Sequence, residues 1–283
     1  MTEPPLRIVR DVAALRAAIG AGRRKGRSVG FVPTMGALHE GHLSLVRAAK
    51  ERCGFVAASL FVNPRQFAPT EDLDRYPRDE AGDAALLASA GCDLLFAPPR
   101  EVIYPPGFST SVDTGAIAAP LEGEMRPHFF GGVATVVTKL LLQALPDIAF
   151  FGEKDFQQLL VIKRLAADLD IPTIIVGCPT VREHDGLAMS SRNSYLDADQ
   201  RRIAGRLNAV LHDAIKAVHA GEPIARAEDD AARHLLAAGF TSVDYVAIRH
   251  AETLAPVADL SAPARILAAA WLGQTRLIDN MAV

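Results

Sequence analysis

Apolar positions along the 283-residue chain fall into two textures. Through residue 180, short apolar runs alternate with segments whose apolar residues recur at helical spacing. Val29-Gly-Phe-Val32, Phe55-Val-Ala-Ala-Ser-Leu-Phe-Val62, Asp93-Leu-Leu-Phe-Ala97, Ile148-Ala-Phe-Phe151 and Thr173-Ile-Ile-Val176 read as buried strands. The second stops at Asn63-Pro64, as a buried strand would. Between these runs, Asp11 offers a cap for a helix carrying Val12, Leu15 and Ile19. Further helices are predicted around Leu43, Leu45, Val46 and Ala49, around Leu86 and Leu87, from Val133 to Leu141, and from Asp155 to Leu169. Strand–helix alternation implies an α/β fold, a parallel sheet with helices on both faces. Ligands in such sheets sit at the carboxyl ends of the strands.

Beyond residue 180 the pattern changes. An Arg- and Ala-rich helix is predicted after Asp197 and another over about 224–238, followed by three β-like runs, Ser242–Ile248, Arg265–Trp271 and Arg276–Ile278. Helices followed by consecutive strands predict a smaller α+β C-terminal domain, which places the domains at 1–179 and 180–283.

Composition narrows the function classes. Hydrophobic residues make up 49% and charged residues 22%, as in ordinary globular enzymes. The net charge is −3, and the longest basic stretch, Arg23-Arg24-Lys25, reads as the solvated end of a helix. Nucleic acid as main partner is therefore disfavoured. Cys53, Cys92 and Cys178 are scattered without a disulfide framework, which suits a reducing cytoplasm. Met1-Thr-Glu-Pro-Pro5 carries no signal-peptide pattern, and no apolar run reaches the ~18 residues needed to span a bilayer, so no membrane association is expected.

The most informative segment is Pro33-Thr-Met-Gly-Ala-Leu-His-Glu-Gly-His42. It follows one predicted strand and opens a helix. A helix start presents unpaired N–H groups and the positive end of the macrodipole, which attract phosphate. Gly36 and Gly41 allow close backbone approach, and His39 and His42 add donors. Zinc would need a third ligand, and no suitable Cys or His cluster is nearby. The segment lacks the Gly-Lys-Ser/Thr of a P-loop and the Gly-x-Gly-x-x-Gly of a dinucleotide fold. A nucleoside triphosphate bound without a P-loop remains.

Three further segments bear on chemistry. Asn63-Pro-Arg-Gln-Phe67 follows a strand, and Gln66 is a neutral amide that can hold a nucleophilic carboxylate without quenching it. Gly152-Glu-Lys-Asp-Phe-Gln-Gln158 has the same placement. Lys154 stands beside a helix start, where the dipole disfavours it, and such a misfit points to function. Asp155 suits a helix cap or a magnesium contact. In Met189-Ser-Ser-Arg-Asn193, two hydroxyls and a guanidinium can grip phosphate oxygens. Glu183-His184-Asp185 reads as a solvated loop rather than a catalytic cluster.

Together these motifs, with Glu71-Asp72, Tyr76-Pro-Arg78 and Asp185-Gly-Leu-Ala-Met-Ser-Ser-Arg-Asn193, resemble the pantothenate synthetase family over nearly the whole chain. The resemblance implies ATP-dependent condensation of pantoate with β-alanine through a pantoyl adenylate, releasing pyrophosphate and AMP. It implies a Rossmann-like nucleotide- and pantoate-binding domain, a C-terminal lid, a homodimer and Mg2+. By position, Met35, Gly36, Ala37, Leu38, His39, Glu40, Gly41 and His42 bind ATP, with Gly152, Glu153, Lys154, Asp155, Val181, Met189, Ser190, Ser191 and Arg192. His42, His39 and Lys154 are the catalytic candidates, and Gln66 and Gln158 hold the acid substrate. One segment departs: Arg126-Pro-His-Phe-Phe-Gly-Gly-Val133 carries its histidine, His128, one place before the family's usual position, which is Phe129 here. An adenylyltransferase acting on a phosphate ester would share the His-x-Gly-His turn but not need Gln66 and Gln158. A nucleotide-sensing protein without catalysis would show decay at His42, Lys154 or Ser190–Arg192, and none is seen.

Overall fold

The computed structural model describes residues 6–68, 71 and 73–283; the N-terminal Met1–Pro5 and Asp72 of the quoted motif lie outside them. Contacts divide the chain into two compact units, residues 1–153 with 158–179, and residues 154–157 with 180–283. The sequence-based boundary at 179 puts residues 154–157 on the other side of that division.

The first unit contains β1 (Arg7–Val9), α1 (Val12–Arg24), β2 (Val29–Thr34), α2 (Glu40–Arg52), β3 (Phe55–Leu60), α3 (Glu80–Ser89) and β4 (Leu94–Phe96). It continues with the single-turn helices α4 (Arg100–Ile103) and α5 (Glu122–Met125), then α6 (Phe129–Ala144), β5 (Ile148–Gly152), most of α7 (Phe156–Asp168) and β6 (Ile174–Cys178). Its six strands pair in parallel in the order β1-β4-β3-β2-β5-β6. Both faces are buried along the inner strands β2–β5, and the alternation along them shows which residue serves which face. Phe31, Ala57, Leu94, Phe96, Ala149 and Phe151 pack with Leu15 and Ile19 of α1, Val133 and Val137 of α6, and Leu159 and Ile162 of α7. Val32, Val56, Ala58, Leu95 and Phe150 pack with Leu45 and Val46 of α2 and Leu87 of α3. Every strand run read from sequence is present. The short β1, in which only Val9 is buried, is the strand periodicity missed. Asp11 caps α1, accepting from Ala14 N–H at 2.8 Å. At the other end of α1, Arg23 is more than a solvated cation: it donates to the Leu145 carbonyl and pairs with Asp147.

The second unit contains α8 (Ala198–Ala204), α9 (Arg206–His219) and α10 (Ile224–Ala238), then the antiparallel sheet of β7 (Ser242–His250), β8 (Ala264–Leu272) and β9 (Thr275–Ala282). Leu207, Leu211, Leu235, Ile248, Ile266 and Ala268 form its core. The helix expected after Asp197 is two helices, α8 and α9, meeting at Gly205. Glycine is a poor helix former, and the preceding turn bears on this junction through an Asp185–Arg201 ion pair at 2.5 Å. Asp185 is therefore not simply solvated, and that pairing with Arg201 holds its carboxyl below the usual range. No helix among the described residues is long and apolar enough to cross a membrane, and all three cysteines are free and buried.

Candidate active site

In the first unit the sheet reverses its winding between β2 and β5, which are direct neighbours through Gly30–Ile148 and Phe31–Ala149. A crevice at the carboxyl ends of such strands is where open α/β sheets bind ligands. The histidine turn leaves β2 at that edge, and Gly152 and Glu153 leave β5.

The turn is built from inside. Asp83, buried on α3, accepts from Ala37 N–H at 3.0 Å and Leu38 N–H at 2.8 Å. Its burial pushes its pKa up, against the pull of those two N–H groups. Gly36 has φ +88°, and a Cβ there would meet Asp83 Oδ2 at 3.0 Å, so no other residue fits comfortably. His39 caps α2: its Nδ1 accepts from Gly41 N–H at 3.2 Å, while His39 N–H points to His42 Nδ1 at 3.4 Å. Both Nδ1 atoms are placed as acceptors, which leaves Nε2 as the donor position on each ring. The ring centroids are 4.2 Å apart. This alters the expectation of orphan N–H groups for phosphate. The N–H groups of Ala37, Leu38, His39 and Gly41 are engaged internally, and the turn offers imidazoles. Glu40 pairs with Arg47 on the surface.

Gln66 sits in a 3-10 turn, Pro64–Gln66, directly after β3, and is buried. Its main-chain carbonyl accepts from Arg126, which also grips Glu71 through two hydrogen bonds of 2.7 and 2.9 Å. Asn63 Nδ2 donates to Gln66 Oε1 at 2.8 Å and to the Gly132 carbonyl at 3.1 Å. Gly132 must lack a side chain, since a Cβ would lie 2.2 Å from the Arg65 carbonyl. Phe129 lies against the Arg126 guanidinium at 3.9 Å, a cation–π contact. His128 is exposed at the start of α6 and makes no capping hydrogen bond. Gln158 is half-buried on α7.

In the second unit, Lys154 Nζ lies 3.7 Å from Asp155. Its main-chain carbonyl accepts from Asn280 Nδ2 at 2.8 Å, and Asn280 Oδ1 accepts from Arg265 Nε at 2.6 Å. Val181 and Met189 join through Met189 N–H to the Val181 carbonyl at 3.0 Å, closing a tight loop that delivers Ser190, Ser191 and Arg192. Arg182 anchors the loop on the buried Asp279 with bonds of 2.7 and 2.9 Å. Ser190 caps the turn that follows, accepting from Arg192 N–H. Sequence reasoning missed Asp83, Tyr104, Asp279 and Asn280. Asn63 and Arg126 it quoted only as parts of motifs.

Residues 7–282 match the model of the pantoate-beta-alanine ligase family. The chain belongs to the pantoate-beta-alanine ligase family. A pantothenate synthetase from Caulobacter vibrioides is 56% identical over the full length of both chains. One from Paramagnetospirillum magneticum is 58% identical over 98% of this chain and 97% of its own. Among solved structures, a Thermus thermophilus pantothenate synthetase superposes with TM-score 0.91 at 49% identity, covering 98% of this chain and 99% of its own. A Francisella tularensis pantoate-beta-alanine ligase, crystallised with beta-gamma ATP and beta-alanine, gives TM-score 0.83 at 34% identity, covering 98% and 97%. The family's fold, a parallel sheet with helices on both faces plus a small antiparallel domain, is the fold of this chain.

Proposed function

We propose that the ligation of pantoate to β-alanine, the activity that goes with the family, proceeds on this chain in two steps. Pantoate's carboxylate attacks the α-phosphorus of ATP, and pyrophosphate leaves. The amine of β-alanine then attacks the adenylate carbonyl, loses a proton and displaces AMP. The histidine turn at the edge of β2 carries this reading. His39 and His42, whose Nδ1 atoms accept from Gly41 N–H and His39 N–H, supply the imidazoles that stabilise the negative charge developing in the first step. Lys154 supplies a point charge, and Ser190, Ser191 and Arg192 supply phosphate donors. Met35 to His42, Gly152 to Asp155 and Val181 make up the rest of the ATP site, and Gln66 and Gln158 hold pantoate.

No cluster of three His, Cys, Asp or Glu side chains able to hold a metal occurs among the described residues. Mg2+ would be held chiefly by the ATP phosphates, whose charge it would neutralise, with Asp155, 3.7 Å from Lys154 Nζ, able to add a carboxylate. In the same reading residues 1–179 bind nucleotide and pantoate, residues 180–283 form the lid, and the protein works as a cytoplasmic homodimer. ATP–pyrophosphate exchange tests the two-step scheme. Exchange should require pantoate and proceed without β-alanine; strict dependence on the amine would favour a concerted reaction.

A further inference from the structure

The side chain of Gln66 is oriented from behind. Its Oε1 accepts from Asn63, whereas its NH2 group has no hydrogen bond within the described residues. Asn63, 1% exposed, is itself held by backbone groups that cannot exchange roles. Its Nδ2 donates to the Gly132 carbonyl at 3.1 Å, and its Oδ1 accepts from Arg65 N–H at 3.3 Å. That second bond is long, and Tyr104 supplies the short one, donating its hydroxyl to Asn63 Oδ1 at 2.8 Å. At a site this buried, water does not replace a lost donor, and an oxygen left half-satisfied loosens the amide it belongs to.

We infer that Tyr104 is a positioning residue for the acid substrate: through Asn63 its hydroxyl keeps the Gln66 oxygen turned inward and the Gln66 NH2 presented to a carboxylate. The inference rests on the proposed role of Gln66 in holding pantoate. A Gln66 amide turned the other way would offer a carbonyl to an anion and repel it. Burial pushes the Tyr104 hydroxyl up to about 12, so it stays a donor through the neutral range. The main chain of Gln66 is held separately, by Arg126 at 3.0 Å, so the relay bears on the side chain alone.

Tyr104→Phe removes only the hydroxyl and leaves the ring on Phe108, Phe61 and the Arg65 guanidinium. Pantoate affinity, measured by calorimetric titration, should fall about tenfold, the effect of one hydrogen bond to a buried group. ATP affinity should not change, while Tm should fall modestly because the buried Asn63 Oδ1 loses its short partner. In a Gln66→Ala background, Tyr104→Phe should lower kcat/KM for pantoate no further, because the route through the amide is already cut. Unchanged pantoate affinity overturns the inference. So does an additive loss in the double variant, or a parallel fall in ATP affinity, either of which marks a merely structural tyrosine. If the wild-type protein fails to bind pantoate, the reading of Gln66 falls first; if it binds and Tyr104→Phe binds equally well, the relay alone fails.

Discussion

In the first unit, Asp83 and Asn63 fix the histidine turn and Gln66 through hydrogen bonds to backbone and amide groups, whereas in the second unit Arg182–Asp279 and Asp185–Arg201 fix the Val181–Arg192 segment through paired charges. The difference is physical as well as topological. A buried acceptor matched to two N–H groups enforces one backbone shape, including φ +88° at Gly36 and +51° at Ala37. A buried ion pair holds its loop firmly only while both charges are present, since one left alone is heavily penalised. His42 belongs to the first kind of construction because it is part of the cap it stands on. Lys154 belongs to the second unit, where its main chain is held by Asn280 and its ammonium lies 3.7 Å from Asp155.

The largest expected effect separates those two residues. His42→Ala and Lys154→Ala should each slow adenylate formation by about 10²-fold or more, the scale of removing one preorganised donor. Only His42→Ala should also lower Tm, because only it removes a capping contact. Single-turnover assays with thermal melts test this, and an equal fall in Tm for both would break the contrast.

A smaller effect compares the anchors. Asp279→Ala leaves Arg182, whose side chain is 24% exposed, without its buried partner and should destabilise by about 3 kcal/mol. Asp83→Asn keeps the shape but turns an NH2 toward one backbone N–H, and should cost about 1–2 kcal/mol. Denaturant melts would rank them; the reverse order would mean that hydrogen bonds, not charges, carry more of the local stability.

The smallest effect is in pH dependence, where the two acids should slope oppositely. Burial raises Asp83, so its contribution is full below its unfolded value of about 3.9 and fades as pH rises through the folded value. Arg201 lowers Asp185, so its contribution is full above about 3.9 and fades as pH falls through the folded value. On acidification from neutral pH, the Tm gap between wild type and Asp83→Asn should widen, and the gap to Asp185→Asn should narrow. Parallel gaps would show that the two acids do not differ in this way.

The chain order of strands and helices was legible because burial on both faces writes strands as continuous apolar runs, and a one-sided face writes helices such as α10 at a period of 3.6. Asp11 announced its helix by the chemistry of capping, and the histidine turn announced itself by two imidazoles and two glycines at a strand–helix junction. Those signals are local, carried by residues within a turn or two of one another. What holds the site is not local. Asp83 reaches Ala37 across 46 positions, Tyr104 reaches Asn63 across 41, and Arg182 reaches Asp279 across 97. An aspartate within a helix and a tyrosine in a loop look ordinary in sequence, because their partners are chosen by sheet order and helix packing. Sequence thus determined which chemical groups are present and which element carries each. Tertiary structure alone decided which way each amide and imidazole faces, since that orientation depends on a hydrogen-bond partner brought close only by the fold.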